Sequence, residues 1–128
     1  MAGMTREPGA DERVRGLLGL AQRSGSVVRG VSAVRDAVRS GQARLVILAE
    51  DASMAQLGKL TGLIEARHVV VCWTESRDAL GRAIGHAPVS ALAITAQSFA
   101  EALSGLMRSH PDQGVDDRAG TGRQGGTR

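Results

Sequence analysis

Apolar residues recur along the middle of this chain in two rhythms, helical stripes and short continuous runs, and their alternation predicts the architecture. Val14, Leu17, Leu18 and Ala21 share one face of a first helix, which the pair Ser24-Gly25 ends before a short strand at Val27 and Val28. Val31, Val34 and Val38 fall at helical spacing on a second helix that Gly41 stops, leaving Ser32, Arg35, Asp36 and Arg39 on its outer surface. Leu45-Val46-Ile47-Leu48-Ala49 is apolar at every position, the pattern of a strand covered by helices on both faces. Ser53 can cap a third helix running to about Arg67, Val69 to Trp73 repeats the buried-strand pattern, and Ser76 can cap a short helix reaching Ile84. Beyond Pro88, Val89 to Thr95 predicts another apolar strand, and Phe99, Leu103 and Leu106 stripe a last helix. Helices alternating with buried strands predict an α/β fold built as an α/β/α sandwich.

The 128 residues have room for a single domain. The periodic region bounds it at residues 11–108. Residues 1–10 lack periodicity and residues 109–128 are rich in Gly, Asp, Arg and Pro, so both ends are expected to be disordered. The apolar run Leu17 to Ala21 is far too short to span a membrane and sits among charges of both signs, unlike a secretory signal. The single cysteine, Cys72, excludes an internal disulfide, which fits a cytoplasmic protein.

The net charge of +3 says little about partners, but its distribution says more. Between Arg13 and Arg44 the arginines Arg13, Arg15, Arg23, Arg29, Arg35, Arg39 and Arg44 face one acid, Asp36. Arginine suits bidentate phosphate contacts. The stretch from Val27 to Gly41 adds a glycine-opened helix start, whose free N–H groups and positive dipole end favour an anion. A solvated basic face is the alternative reading of the same arginines. Trp73 and Phe99 are the only aromatic residues, which argues against base-stacking platforms and turns any reading of RNA over to polar groups.

Other candidate chemistry is thin. Glu50 and Asp51 follow a buried strand at its carboxyl end, where α/β enzymes place acids and bases, but successive residues on an extended chain point apart. A solvated loop is the simpler reading. Cys72 lies within an apolar strand with no neighbouring cation to lower its pKa, which predicts a buried structural thiol. His68 sits at a helix-to-strand junction, His86 in a glycine-containing turn and His110 in the tail, without ligand spacing for zinc. Gly16, Gly19, Gly25 and Gly30 match neither the dinucleotide nor the Walker pattern. No catalytic residue, metal site or cofactor is expected.

Two blocks, Gly30 to Val38 and the stretch Gly41-Gln42-Ala43-Arg44-Leu45-Val46-Ile47-Leu48-Ala49-Glu50-Asp51, resemble the ribosomal L7Ae/L30e superfamily. Leu80-Gly81-Arg82-Ala83-Ile84-Gly85 is similar to its LGxAxG segment, and Leu17 to Gly25 to the opening of its short bacterial YlxQ-type branch. The resemblance covers nearly all of residues 12–107. It implies an α/β/α sandwich around a mixed four-stranded sheet, no enzymatic activity, and a ribosome-associated factor that binds the RNA kink-turn. It implies structured RNA as the partner, kink-turn-like or ribosomal, in the cytoplasm and away from membranes. The chain is expected to act as a monomer.

In such proteins a glycine lets the helix start approach the RNA, an Asn-Glu pair reads sheared G·A edges and a lysine follows. Here Gly30 matches, whereas Ser32 stands for the asparagine, Ala33 for the glutamate and Asp36 for the lysine. The resemblance therefore carries the site onto Arg29, Gly30, Val31, Ser32, Ala33, Arg35, Asp36 and Arg39, with the arginines on phosphates. It adds Pro88 and Val89 of the 85–89 loop as apolar supports for unstacked nucleotides. The three substitutions also motivate an alternative, a protein-interaction module of the same fold that has lost specific RNA recognition.

Overall fold

The computed structural model describes residues 10–107. In chain order the elements are α1 (Ala10–Arg23), β1 (Val27–Arg29), α2 (Val31–Arg39), β2 (Leu45–Ala49), α3 (Met54–Arg67), β3 (Val71–Thr74), α4 (Arg77–Ala83), β4 (Ala91–Ile94) and α5 (Gln97–Leu106). The strands form one sheet in the order β1-β4-β2-β3. The β1/β4 and β4/β2 pairs are antiparallel and the β2/β3 pair is parallel, so the sheet is mixed. Both expected disordered ends lie outside the described residues, except that Ala10 already opens α1.

Side chains alternate strictly across the sheet, and this separates two cores. Leu45, Ile47, Cys72, Leu92 and Ile94 face the layer of α1, α4 and α5, where Leu18, Leu80 and Leu103 meet them. Val46, Leu48, Ala91 and Ala93 face α2 and α3, against Val34, Val38, Leu57 and Leu60. β2 is buried at every position, as a strand sandwiched between helical layers must be. Each fully buried leucine contributes roughly 1.5–3 kcal/mol through removal of its apolar surface from water.

The helix ends follow the local chemistry. Ser53 Oγ accepts from Gln56 N at 3.2 Å and Ser76 Oγ from Ala79 N at 3.0 Å, so both expected N-caps form. α2 closes with Gly41 N donating to Val38 O and Gln42 N to Ala37 O, and Gly41 takes the positive φ of 81° that this closure needs. α3 closes by the same pair of bonds, from His68 N to Glu65 O and from Val69 N to Ile64 O, with His68 itself left-handed at φ 58°. Because Val69 N is used there, β3 starts at Val71 and not at Val69 as the apolar run predicts.

β4 is likewise shorter than the predicted Val89–Thr95. Val89 N donates to Arg77 O at 3.2 Å, away from the sheet. The side-chain alternation breaks at the same point: Val89 turns into the α1/α4/α5 core, and Ser90 turns toward α3. Regular pairing resumes at Ala91.

The register brings functional elements to one end of the sheet. Arg29 pairs with Leu92, Leu48 with Ala91 and Ala49 with Thr74, so the carboxyl ends of β1, β2 and β3 lie beside the amino end of β4. The starts of α2, α3 and α4 and the 85–90 loop therefore gather at that end.

Candidate nucleic-acid interface

β1 is only three residues long, and Gly30 converts it directly into a helix. Gly30 adopts φ 95° and ψ 144°, a backbone that side-chain-bearing residues rarely accept, while its N–H donates to Ala91 O at 2.9 Å. A Cβ built at Gly30 would meet nothing within 4 Å, so space lies open above this backbone. No side chain caps α2, and the first helical bond is from Val34 N to Gly30 O. The N–H groups of Val31, Ser32 and Ala33 thus have no partner within the helix and sit at its positive dipole end.

Arg29, Ser32, Ala33, Asp36 and Arg39 are exposed, and Val31 is half-buried over the α2/α3 core. Asp36 Oδ1 accepts from Arg39 Nη1 at 3.3 Å, an exposed ion pair one turn apart on the helix. The pair neutralises the acid that stands among the arginines. Arg67 Nη1 donates to Arg39 O at 2.9 Å, tying the end of α3 to the last turn of α2.

Arg35 departs from the expected outer-surface position. Its side chain is half-buried, and its Nε is fully buried with no hydrogen-bond partner. Arg35 lies one turn from both Val31 and Val38, so its stem extends the apolar stripe instead of standing clear of it.

The 85–89 loop divides in two. Pro88 is exposed as expected, but Val89 is 7% exposed and belongs to the core with Leu80 and Ile84. This corrects the expectation that its side chain supports nucleotides: burial of its apolar surface makes it the anchor of the loop. Gly81 fixes the loop from below. His86 N donates to Gly81 O at 2.8 Å, and a Cβ at Gly81 would stand 2.8 Å from His86 O and 2.7 Å from the Ala87 carbonyl carbon.

Two contacts at this end join residues far apart in sequence, and periodicity gives no sign of either. Asp51 Oδ1 accepts from Arg77 N at 2.8 Å and so secures the first turn of α4. Ser90 Oγ donates to Gln56 Oε1 at 3.1 Å, linking the amino end of β4 to the first turn of α3. Elsewhere, Cys72 is buried, and desolvation pushes its thiol up to about 11, the opposite of what a nucleophile requires. Among the described residues no three His, Cys, Asp and Glu side chains gather where a metal could sit. Nor is any described helix long and apolar enough to cross a membrane.

A mixed sheet between helical layers, with a glycine-opened helix start beside a pinned loop, defines the class. The chain belongs to the ribosomal protein L7Ae/L30e/S12e/Gadd45 family, whose model matches residues 12–104. Within it the chain falls in the bacterial YlxQ-type branch, being 41% identical over 91 residues to the RNA-binding protein YlxQ of Bacillus subtilis (strain 168). That match covers 71% of this chain and 91% of the relative. A Bacillus halodurans C protein, described as of unknown function, superposes with a TM-score of 0.70 at 33% identity, over 73% of this chain and 95% of the other. The Giardia lamblia 15.5kD RNA binding protein shares the fold, with a TM-score of 0.64 at 24% identity over 82% of this chain and 87% of its own.

Proposed function

We propose that this chain is a non-catalytic, ribosome-associated RNA-binding protein that recognises a kink-turn or similarly bent RNA with the glycine-opened end of its sheet. The uncapped start of α2 carries the reading. Gly30 holds an open, close-approach backbone there, with donor groups behind it and Arg29 beside it. The similarity to a bacterial protein named as RNA-binding supports the same partner.

In mechanism, Arg29, Arg35 and Arg39 meet phosphates, while Gly30, Val31, Ser32 and Ala33 approach the sugar and base edges with main-chain groups. Phosphate contacts position an RNA without reading it. Pro88, on the loop anchored by Val89, supplies an apolar surface for an unstacked nucleotide. The protein acts by differential affinity: binding the bent form better than the straight one shifts the RNA toward the bend. It works as a monomer in the cytoplasm, in translation.

A gel-shift titration tests this directly. The protein binds a kink-turn RNA more tightly than a duplex of equal length. Equal affinity for the two contradicts kink-turn recognition, and a pull-down partner that survives ribonuclease, with no RNA crosslink, would favour a protein-interaction module.

A further inference from the structure

We infer that Gln56 reads a nucleobase at this interface through the amide hydrogens that Ser90 leaves free, and that the base it favours presents carbonyl acceptors, as guanine and uracil do. The inference rests on the RNA-binding reading above and names a residue responsible for selectivity within that site.

Topology singles out Gln56. The chain contains no asparagine. Among the described glutamines, Gln22 and Gln42 precede β1 and β2, and Gln97 follows β4, which puts all three at the opposite end of the sheet. Gln56, in the first turn of α3, is the described carboxamide at the end that carries Arg29, Gly30 and Pro88. Ser32 and Ala33 bring neither a carboxamide nor a carboxylate to that surface.

The anchor is rigid and one-sided. Ser90 is 9% exposed, its carbonyl accepts from Ala49 N at 3.0 Å, and the next carbonyl, of Ala91, accepts from Gly30 N at 2.9 Å. The backbone of Gln56 is held as well, by its N–H to Ser53 Oγ. With one lone pair of Oε1 engaged by the Ser90 hydroxyl, the carboxamide of this exposed residue is oriented and weighted toward donation, its two Nε2 hydrogens outnumbering the one lone pair that remains. A free glutamine pairs bidentately with adenine by accepting from its amino group, and here the Ser90 hydroxyl already engages that oxygen and competes with such a pairing. Guanine O6 and N7, or a uracil carbonyl, fit the donors that remain.

The experiment uses the full chain and a kink-turn RNA in which each unpaired nucleotide is changed in turn to all four bases. At one position the unmodified protein should bind guanine or uracil about tenfold more tightly than adenine or cytosine. Ser90→Ala removes the hydroxyl that engages Oε1 and should admit adenine at that position, narrowing the preference there. Gln56→Ala should abolish the preference at that position alone. The inference is overturned if Gln56→Ala discriminates as the parent does, if Ser90→Ala weakens all four bases equally, or if no position shows a preference. In those cases kink-turn binding over duplex still stands as a separate result. A parent protein that fails to prefer the kink-turn overturns both.

Discussion

Cys72, on β3, points into the core beneath the α1/α4/α5 layer, and burial there disfavours its thiolate. An unfolded chain loses this proton near 9.0 and the folded one near 11, so between those values the unfolded state binds fewer protons and stability falls as pH rises. The slope approaches ~1.4 kcal/mol per pH unit. With no tyrosine and a single lysine, few other groups change charge in that window. Denaturant unfolding at pH 8.5 and 10.5 should show the decline in the parent and a much flatter response in Cys72→Ala; equal declines would exclude the thiol as its source. Asp36 offers a second test at this scale. Its exposed pair with Arg39 contributes no more than about 1 kcal/mol, so replacing it leaves the fold intact. Asp36→Lys releases Arg39, adds a cation, and should tighten RNA binding while steepening its salt dependence by about one unit of log–log slope per new phosphate contact. Unchanged affinity and slope would remove this helix from the interface.

At the scale of elements, the glycines illustrate how local and distant causes differ. Gly41 and Gly25 could be read from sequence as helix stops because their closure uses only neighbouring residues. Gly81 could be recognised only as part of a resembling segment, since the reason for it is the backbone of residues 86–87 lying against α4. A methyl group there must push the loop away. Gly81→Ala should destabilise the protein by about 1–3 kcal/mol, an overpacking cost, and weaken RNA binding beyond that loss. A thermal melt and a binding titration check it, and a variant that melts and binds like the parent would show that the loop is not pinned as described. The strands are shorter than their apolar runs for the same kind of reason. Val69 and Val89 are apolar enough for strands, but their N–H groups serve a helix closure and α4, which hydropathy does not reveal.

For the whole molecule, the layered architecture follows from the sequence because each strand is apolar on both faces and each helix on one. The assembly of a site does not follow so directly. Arg29, Gly30, Ser32, Asp36 and Arg39 could be named in advance because they are consecutive or lie along one helix. Arg35 is half-buried along its stem and Val89 packs into the core, which periodicity does not reveal, and the Gln56–Ser90 pair and Asp51 at α4 depend on contacts across 34 and 26 residues. What unites them is the end of the sheet where α2, α3 and the 85–90 loop meet, and the central claim is that RNA binds there. Amide shift mapping during titration with a kink-turn RNA tests that claim most directly. The account predicts the largest changes at residues 29–39, at Gln56 and at residues 86–90, with α1 and α5 unaffected; changes concentrated on α1 and α5 would contradict it.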